Sequence, residues 1–269
     1  MRQKLLGLIA GNGKFPLLFA HKARMAKYKV VAAAVKGDTS FFLRFFVDKI
    51  KWFKAGQLRA LFSFLKEEEV KDVIMAGQVS PANLFDKHLV LDEEFKELFN
   101  AIKDRKADTI FSAVADKLKQ QGMELRDSTF LLKDSLAPHG TLTRRAPDLR
   151  ELDDIVFGKE IAKAMGGLDV GQTVVVKERA IVAIEAMEGT DAAILRGGRI
   201  AREGAVVVKM SKPEQDFRFD VPVIGDRTIK NMIRANASCL AIEAGKTIII
   251  AREKVISLAN KADICIVGT

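Results

Sequence analysis

Two acidic segments in the second half of the sequence hold the residue types that could act on a phosphate ester. The first, residues 183–191, delivers Glu185, Glu188 and Asp191 at the end of an apolar run, with the hydroxyl of Thr190 among them. Such carboxylates could hold a hard cation such as magnesium, which takes oxygen ligands and substrate phosphates. The alternative is a solvated turn, and composition alone favours that alternative.

The second acidic segment, residues 209–225, alternates acids with aromatic residues. If this piece is extended, Asp216, Arg218 and Asp220 point to one face, because side chains alternate along a strand. A solvated turn with a local Asp–Arg pair is again the alternative.

Other hydrolytic chemistries lack their residues in this sequence. His21, His88 and His139 are scattered, with no H-E-x-x-H pattern, and there is no G-x-S-x-G elbow and no complete P-loop. Cys239 and Cys265 lie in apolar, strand-like contexts without C-x-x-C spacing, which predicts buried reduced thiols. Carboxylates therefore remain the predicted hydrolytic groups.

A glycine-rich loop, residues 11–14 (Gly-Asn-Gly-Lys), follows the first apolar run of the chain. Glycines there let phosphate approach the backbone at the start of a helix, as in a dinucleotide-binding fingerprint. The third glycine of that fingerprint is replaced by Pro16, which suits the first turn of a helix. Asp38 could bind a ribose in an NAD site. A general nucleotide-phosphate loop is favoured, and NAD binding and a structural turn stay open.

The elements of the first half alternate between strand and helix. Apolar runs predict strands, and apolar positions at helical spacing predict helices. The predicted strands are 4–10, 30–35, 47–53 and 71–76, and the predicted helices are 15–25, 57–69, 92–103 and 108–121. This alternation indicates a parallel sheet with its ligand loops at the carboxyl ends of the strands. The sequence predicts a Rossmann-like nucleotide-binding domain over residues 1–140.

The second half is predicted to be a mixed α/β catalytic domain over residues 150–269. Pro138, Gly140 and Pro147 indicate a linker over 138–150. Predicted helices are 152–165, 228–237 and one from 252, and predicted strands are 173–176 paired with 180–185, then 205–210, 240–242, 247–250 and 264–267. The element after Gly197 and Gly198 is left undecided between helix and strand.

The charge of the chain is uneven along its 269 residues. The net charge is +9, and residues 1–145 hold 26 Lys and Arg against 17 Asp and Glu, whereas the remainder holds 18 of each. A basic first half suits an anionic partner such as a phosphate-bearing ligand, nucleic acid or anionic membrane, or serves solubility alone. Apolar runs fall short of the ~20 residues of a membrane helix, and the start of the chain is interpreted as mature cytoplasmic sequence.

Five strings together resemble the UDP-2,3-diacylglucosamine pyrophosphatases of the LpxI type, from the lipid A pathway of Gram-negative bacteria. They are G-L-I-A-G-N-G with F-P at 7–16, A-G-Q-V-S at 76–80, L-D-V-G-Q at 168–172, E-A-M-E-G-T-D at 185–191, and K-P through D-V-P to Gly at 212–225. The resemblance spans essentially the whole chain. The last two strings are specific for this family when they occur together, whereas the glycine loop is only weakly specific.

This resemblance implies magnesium-dependent hydrolysis of a pyrophosphate. The substrate would be a UDP-linked diacylated glucosamine lipid, held in a cleft between two domains, and the products UMP and 2,3-diacylglucosamine 1-phosphate (lipid X). It further implies that the protein works in the cytoplasm, at the cytoplasmic face of the inner membrane, with peripheral contact with anionic lipid. No nucleic-acid partner is expected, and a homodimer is one oligomeric state to test.

The resemblance also implies roles for individual residues. Asp220 matches the family's essential aspartate, as a metal ligand or a base that orients water. The expected catalytic residues are Asp220, Asp191 and Glu188, and the expected metal ligands are Asp220, Asp191 and Glu185. The expected substrate-binding residues are Gly11, Asn12, Gly13, Gly77, Gln78, Val79, Ser80, Gln172, Gly189, Thr190 and Lys209.

One departure and two rival functions accompany this interpretation. Relatives often carry a basic residue directly after the serine of the 76–80 string, where this chain has Pro81. The rivals are an NAD-dependent oxidoreductase and a non-catalytic nucleic-acid-binding protein. The apolar and basic run 41–46 is either packing or a surface for acyl chains or a membrane.

Overall fold

The computed structural model describes residues 4–79 and 89–269, which form two compact units. The first unit comprises the chain up to Leu132 together with a short return segment, Asp216–Asp220. The second comprises Lys133–Gln215 and Val221–Thr269. A piece of the carboxyl-terminal half is therefore built into the first unit.

The first unit contains a parallel sheet with helices packed on it. Its strands are β1 (Leu5–Ala10), β2 (Lys29–Val35), β3 (Lys49–Phe53), β4 (Asp72–Ala76) and β5 (Glu124–Leu125). Its helices are α1 (Phe15–Met25), α2 (Leu58–Glu67), α3 (Glu93–Ala101) and α4 (Ala107–Gln120). Within the described residues the strand order is β3-β2-β1-β4-β5. The order reverses between β1 and β4, and ligands of such sheets bind beside the strand ends at this point.

Local sequence accounts for how the first unit begins. β1 and β2 are apolar runs that the sheet buries on both faces, as parallel strands require. Pro16 lies in the first turn of α1, where its missing N–H has no helical partner to lose. The predicted strand, tight loop and helix at the start of the chain are confirmed, and so is the parallel sheet.

The second unit is built on a mixed sheet. Its strands are β6 (Gly140–Thr141), β7 (Thr173–Lys177), β8 (Ala180–Ile184), β9 (Ala205–Lys209), β10 (Val223–Ile224), β11 (Ala237–Ile242), β12 (Ile248–Ile249) and β13 (Cys265–Gly268). Its helices are α5 (Leu149–Gly167), α6 (Thr190–Ala201), α7 (Asp226–Arg234) and α8 (Arg252–Lys261). Among the described residues the main sheet has the order β6-β13-β11-β9-β7-β8, and β10 pairs with β12.

The strand directions of this sheet bring several chain ends to one edge. β9, β11 and β13 run parallel, whereas β7 is antiparallel to both β9 and β8. The carboxyl ends of β8, β9 and β11 therefore lie beside the amino end of β7. The residues of α5 pack on one face of the sheet, and those of α6, α7 and α8 on the other. The predicted mixed α/β second half is confirmed.

The structure decides one element that the sequence left open and corrects two local predictions. Gly197 and Gly198 lie inside the helix α6, and a Cβ on Gly198 would come within 2.4 Å of Ala235, so the close packing there requires glycine. The helix predicted over 228–237 spans Asp226–Arg234, because Thr228 Oγ1 accepts a hydrogen bond from Gly225 N in its first turn. Within the segment 138–150, interpreted as a linker, β6 pairs antiparallel with β13.

Two further expectations concern the thiols and the membrane. Cys239 and Cys265 are buried, unbonded thiols on paired strands, as predicted. Across residues 4–79 and 89–269, no helix is both long and apolar enough to cross a bilayer.

Candidate functional site

The loops after β1 and β4 approach each other as bare backbone. Gly11 N donates to Ala76 O at 2.9 Å, and Asn12 N donates to Gln78 O at 2.7 Å. A Cβ on Gly11 would lie 2.6 Å from Gln78 O, and one on Gly77, whose φ is +87°, would lie 2.4 Å from Asn12 O. Both positions therefore require glycine, and four of the predicted binding residues meet at this strand end: Gly11, Asn12, Gly77 and Gln78.

The hydrogen bonds between these loops decide which groups are left for a ligand. The N–H groups of Gly11 and Asn12 are used within the loops, so these residues supply shape rather than donors. Gly13 N donates to the Asn12 side chain at 2.5 Å, and both residues are exposed, so this side chain can turn away and release the N–H. Val79 is half-buried, and Ser80 lies outside the described residues.

The second unit holds a buried lysine at the end of β9. Lys209 Nζ donates to Thr190 Oγ1 at 2.9 Å and to Thr173 Oγ1 at 3.3 Å. Thr190 Oγ1 in turn donates to Glu185 Oε1 at 2.8 Å. Glu185 Oε2 lies 3.6 Å from Lys209 Nζ, and the two side chains are only 13% and 7% exposed. We call Glu185, Thr173, Thr190 and Lys209 the Lys209 cluster.

The register of the sheet produces the Lys209 cluster. Thr173 is paired directly with Lys209 across β7 and β9, and Glu185 N donates to Thr173 O as β8 ends. Gln172 precedes β7, and its carbonyl accepts from Met210 N. α6 begins at Thr190 after Gly189, with no side-chain cap, so its first N–H groups face the same strand ends.

A second buried charge follows β11 at the same edge of this sheet. Glu243 accepts hydrogen bonds from Lys163 Nζ at 2.8 Å, from Ser211 N at 2.8 Å and from Ser211 Oγ. Burial alone would raise the pKa of Glu243, but Lys163, Ser211 and Lys246 outweigh it and lower the pKa to about 2. Glu243 is therefore an ionised anchor for the start of the 211–220 segment.

The two other acids predicted in this unit are paired with arginines. Glu188 accepts from Arg196 Nη2 at 2.5 Å, and Arg196 also donates to Ile184 O at 2.7 Å. Burial would raise the pKa of Glu188, but its bond with Arg196 lowers the pKa overall. Asp191 lies 2.6 Å from the exposed Arg227.

Asp220 belongs to the first unit, in the return segment Asp216–Asp220. Of the two arrangements left open by the sequence, an extended segment and a turn with a local Asp–Arg pair, the structure has the turn. Asp220 N donates to Asp216 O at 3.0 Å, and Arg218 N donates to Asp216 Oδ1 at 3.0 Å. The Asp216–Arg218 ion pair further closes this turn.

Ser128 fastens the return segment to the first unit. Its N–H donates to Phe217 O at 2.9 Å, and its buried hydroxyl lies 2.8 Å from Arg218 O and 2.6 Å from Met75 O. The ring of Phe219 packs 5.6 Å from that of Phe111. The backbone on either side of Asp220 is thus set by residues of the amino-terminal half.

The carboxylates do not form a closed metal cage. No three His, Cys, Asp or Glu residues in 4–79 and 89–269 are grouped as metal ligands. Glu185 Oε2 is buried and accepts no hydrogen bond from any described residue, so it could serve as one oxygen ligand. Magnesium usually takes one or two carboxylates and fills its other positions with water and substrate phosphates. The donors of the second unit fit that mode.

The predicted residues therefore separate into groups. The structure brings Glu185, Thr190 and Lys209 together, with Gln172 beside them, and it sets Glu188 and Asp191 into arginine pairs nearby in the chain. Sequence reasoning missed Thr173, Glu243 and Ser128. Thr173 could have been found from the pairing of β7 with β9, whereas no local signal marks the other two.

Comparisons with known proteins cover the chain from end to end. The LpxI N-terminal domain matches residues 5–135 and the LpxI C-terminal domain matches residues 138–267. A protein of Caulobacter vibrioides named UDP-2,3-diacylglucosamine pyrophosphatase LpxI is 30% identical in an alignment of 278 positions that covers 98% of this chain and 96% of that protein.

Solved structures resemble the chain only slightly. The ADP complex of N5-carboxyaminoimidazole ribonucleotide synthetase aligns with a TM-score of 0.28 and 16% identity, over 65% of this chain and 32% of that one. The leucoanthocyanidin reductase–NADPH complex from Vitis vinifera aligns with a TM-score of 0.28 and 17% identity, over 55% and 41%. The chain spans less than half of either structure, and these likenesses carry no inference.

Proposed function

The chain belongs to the LpxI family, and on that premise we propose that it hydrolyses the pyrophosphate bond of UDP-2,3-diacylglucosamine. The products would be UMP and 2,3-diacylglucosamine 1-phosphate (lipid X). The observation that carries the proposal is the similarity, over nearly the full length of both chains, to a protein named for that pyrophosphatase.

The first unit would receive the nucleotide at the loops after β1 and β4. Gly11 and Gly77 keep the surface free of side chains, so a phosphate can approach the backbone closely. The N–H of Gly13, released from the Asn12 side chain, would donate to a phosphate oxygen. Gln78 and Val79 flank this surface, and Ser80 follows them in the sequence.

The second unit would meet the diphosphate and the sugar at the Lys209 cluster. The first N–H groups of α6 after Gly189 are suited to an anionic oxygen, and a helix amino end favours negative charge. When a phosphate arrives, Lys209 Nζ would shift part of its hydrogen bonding from Thr190 and Thr173 to that phosphate. Gln172 would contact the sugar.

We also propose that the reaction depends on magnesium. Glu185, Asp191 and Asp220 are the expected ligands, and the first two belong to the second unit. When bound, the ion would neutralise charge on the phosphates and polarise the phosphorus–oxygen bonds. Asp220 would then orient the attacking water and accept its proton, while Glu188 would keep Arg196 fixed at the end of β8.

Release of UMP from UDP-2,3-diacylglucosamine tests the proposal directly. We expect release by the wild-type protein, its loss in EDTA, and its recovery with added magnesium. Asp220→Asn should lower kcat by at least about 10²-fold, because removal of a positioned base typically loses that much. Hydrolysis in H₂¹⁸O followed by mass spectrometry would show which phosphate takes the label, and hence which phosphorus is attacked.

The matched control is Asp153→Asn, on the exposed side of α5. It removes one carboxylate of the same length and should leave kcat within twofold. Absence of UMP release from a folded protein would contradict the proposal. NADH fluorescence that changes on addition of the protein would instead favour the oxidoreductase, and salt-dependent retention of short DNA or RNA would favour a nucleic-acid-binding protein.

We propose that the reaction takes place at the cytoplasmic face of the inner membrane, because the acylated substrate would lie in a bilayer. There the basic first half would meet anionic headgroups, which attract Lys and Arg. Sedimentation velocity in detergent-free buffer would decide whether the protein acts as a homodimer.

A further inference from the structure

A short 3-10 helix of the first unit, Phe41–Phe45, exposes three aromatic rings. Phe41, Phe42 and Phe45 are 58%, 66% and 59% exposed, whereas Leu43 between them is fully buried. Leu43 thus anchors the turn while its neighbours point outward. Phenylalanine is usually inside a protein, so three exposed rings on one turn require an explanation.

Positive charge surrounds these rings. Arg44 lies over the rings of Phe41 and Phe45, at 4.8 and 5.2 Å from their centroids. Arg24, at the end of α1, donates to Phe45 O at 2.8 Å and so joins the helix end to the aromatic turn. Residues 21–29 carry three Lys and one Arg, and neither this stretch nor 41–46 contains an acid.

The nearest acidic residue in the sequence, Asp48, is bound to the backbone of β2. Its Oδ2 atom accepts a hydrogen bond from Val30 N at 2.7 Å. At the end of α1, next to Arg24, Met25 is 71% exposed and adds another apolar side chain. We call Met25, Phe41, Phe42, Phe45 and the basic residues around them the Phe42 surface.

We propose that the Phe42 surface docks onto an anionic lipid bilayer. A bilayer accepts apolar rings at the level of its headgroups without a matching pocket, and it attracts cations beside them. The guanidinium groups of Arg24 and Arg44 can stay among the headgroups while the rings enter the acyl boundary. An acidic protein partner would match the charges but would need its own pocket for three separate rings.

This surface extends the proposed function, because it gives the protein a route to an acylated substrate. The docking itself rests on the exposed rings and cations and not on hydrolysis. It is therefore testable on its own, with vesicles that contain no substrate.

The test is co-sedimentation with vesicles of phosphatidylglycerol and phosphatidylcholine, against vesicles of phosphatidylcholine alone. We expect the protein to sediment with the anionic vesicles and to dissociate as salt is raised. The double variant Phe42→Ser/Phe45→Ser should bind at least about tenfold more weakly, because it removes two apolar rings that would be buried in the bilayer. Arg44→Glu should weaken binding to anionic vesicles by about tenfold, because it removes one attraction and adds one repulsion.

The matched control replaces two apolar residues of comparable exposure in the second unit. Leu149 and Val156 on α5 are 82% and 62% exposed, and Leu149→Ser/Val156→Ser should bind vesicles like the wild type. Leu43 is left unchanged in every variant, so the thermal midpoint should stay within a few degrees of the wild type.

Three results would overturn the proposal. The wild type could fail to bind anionic vesicles, the Phe42 variant could bind as well as the wild type, or the Phe42 variant could abolish a dimer seen without vesicles, which would assign the surface to a second copy of the chain. UMP release from detergent-dispersed substrate is measured in parallel. Vesicle binding without UMP release would contradict the hydrolase proposal alone, whereas UMP release without vesicle binding would contradict the docking proposal alone.

Discussion

The strand ends of the first unit and those of the second unit differ in the chemical groups that they present. In the first unit, Gly11 and Gly77 bring two loops together through contacts of their backbone atoms. In the second, the strand ends carry the Lys209 cluster and Glu243, whose charges are held by hydrogen bonds inside the unit.

The two units thus present two kinds of surface to an anionic ligand, one of backbone and one of buried charged side chains. A backbone surface depends on the absence of Cβ atoms, so it is insensitive to pH but fails when a single methyl group is added. A buried charged cluster depends on both partners being present and ionised, so it responds to loss of one charge and to pH. The strand ends of the two units should therefore be destabilised by different perturbations.

Gly77→Ala should have the largest effect on stability, because it adds a methyl group where the two loops lie closest together. The new Cβ would lie 2.4 Å from Asn12 O, and Gly77 has a φ of +87°, which alanine adopts only with strain. Clash and strain together should lower the free energy of unfolding by about 4 kcal/mol, measured by urea denaturation.

Gly13→Ala is the control for this loop. Gly13 has a similar φ of +91°, but a Cβ there meets nothing within 4 Å. It should lose only about 1 kcal/mol, from backbone strain alone. Equal losses in the two variants would mean that the close approach of the loops contributes nothing.

Lys209→Met should have the second largest effect on stability, because it leaves the buried carboxylate of Glu185 without its cation. Breaking a buried ion pair from one side typically costs about 3 kcal/mol, and we expect that loss in urea denaturation at neutral pH. Adding Glu185→Gln to the same protein should restore part of the loss, because no buried charge is then uncompensated.

Lys230→Met provides the surface comparison. Lys230 is 54% exposed and lies 3.6 Å from Asp226, which keeps a second cation, Lys254, at 3.4 Å, so the loss should be at most about 1 kcal/mol. If Lys209→Met were no more damaging than Lys230→Met, the second unit would not depend on its buried charges.

Glu243 makes the second unit sensitive to acid. Its folded pKa of about 2 lies below the ordinary 4.5, so its ionised form stabilises the fold above pH 4.5, and that stabilisation is lost as pH falls from 4.5 to 2. Glu243→Gln should destabilise the protein by about 2 kcal/mol at pH 6, a figure reduced for solvent screening, and by less than half of that at pH 3.

Glu160→Gln, on the exposed side of α5, controls for the loss of one carboxylate. Urea denaturation of both variants and the wild type at pH 6 and pH 3 provides the measurement. A penalty for Glu243→Gln that is the same at both pH values would show that the hydrogen bonds of Glu243 do not hold its pKa low.

Sequence reasoning succeeded where the signal is local. The apolar run, glycine loop and Pro16 predicted the start of the first unit, and two short apolar runs predicted the paired strands β7 and β8. These elements are set by burial and by backbone geometry within a few residues, so the sequence contains their cause.

Sequence reasoning failed where the cause is distant in the chain. The acids and aromatics around Asp220 left an extended segment and a turn open, and they gave no sign that Ser128, 90 residues before Arg218, holds the backbone of that turn. Glu243 likewise reaches Ser211 only because β9 and β11 are neighbours. No local pattern reports such partners.

Ser128→Ala should have the smallest effect on stability. It tests the return segment, which gives the first unit the predicted catalytic charge of Asp220. The fully buried hydroxyl lies within hydrogen-bonding distance of two carbonyls, and its loss should cost about 1 kcal/mol. If Ser128 positions Asp220, kcat for UMP release should fall about fivefold while KM stays within twofold, measured well below the thermal midpoint. Ser63→Ala, at an exposed serine of α2, should change neither constant. An unchanged kcat for Ser128→Ala would mean that Ser128 stabilises the first unit but does not position Asp220. The strand ends of that unit would then contribute to the reaction through their backbone alone.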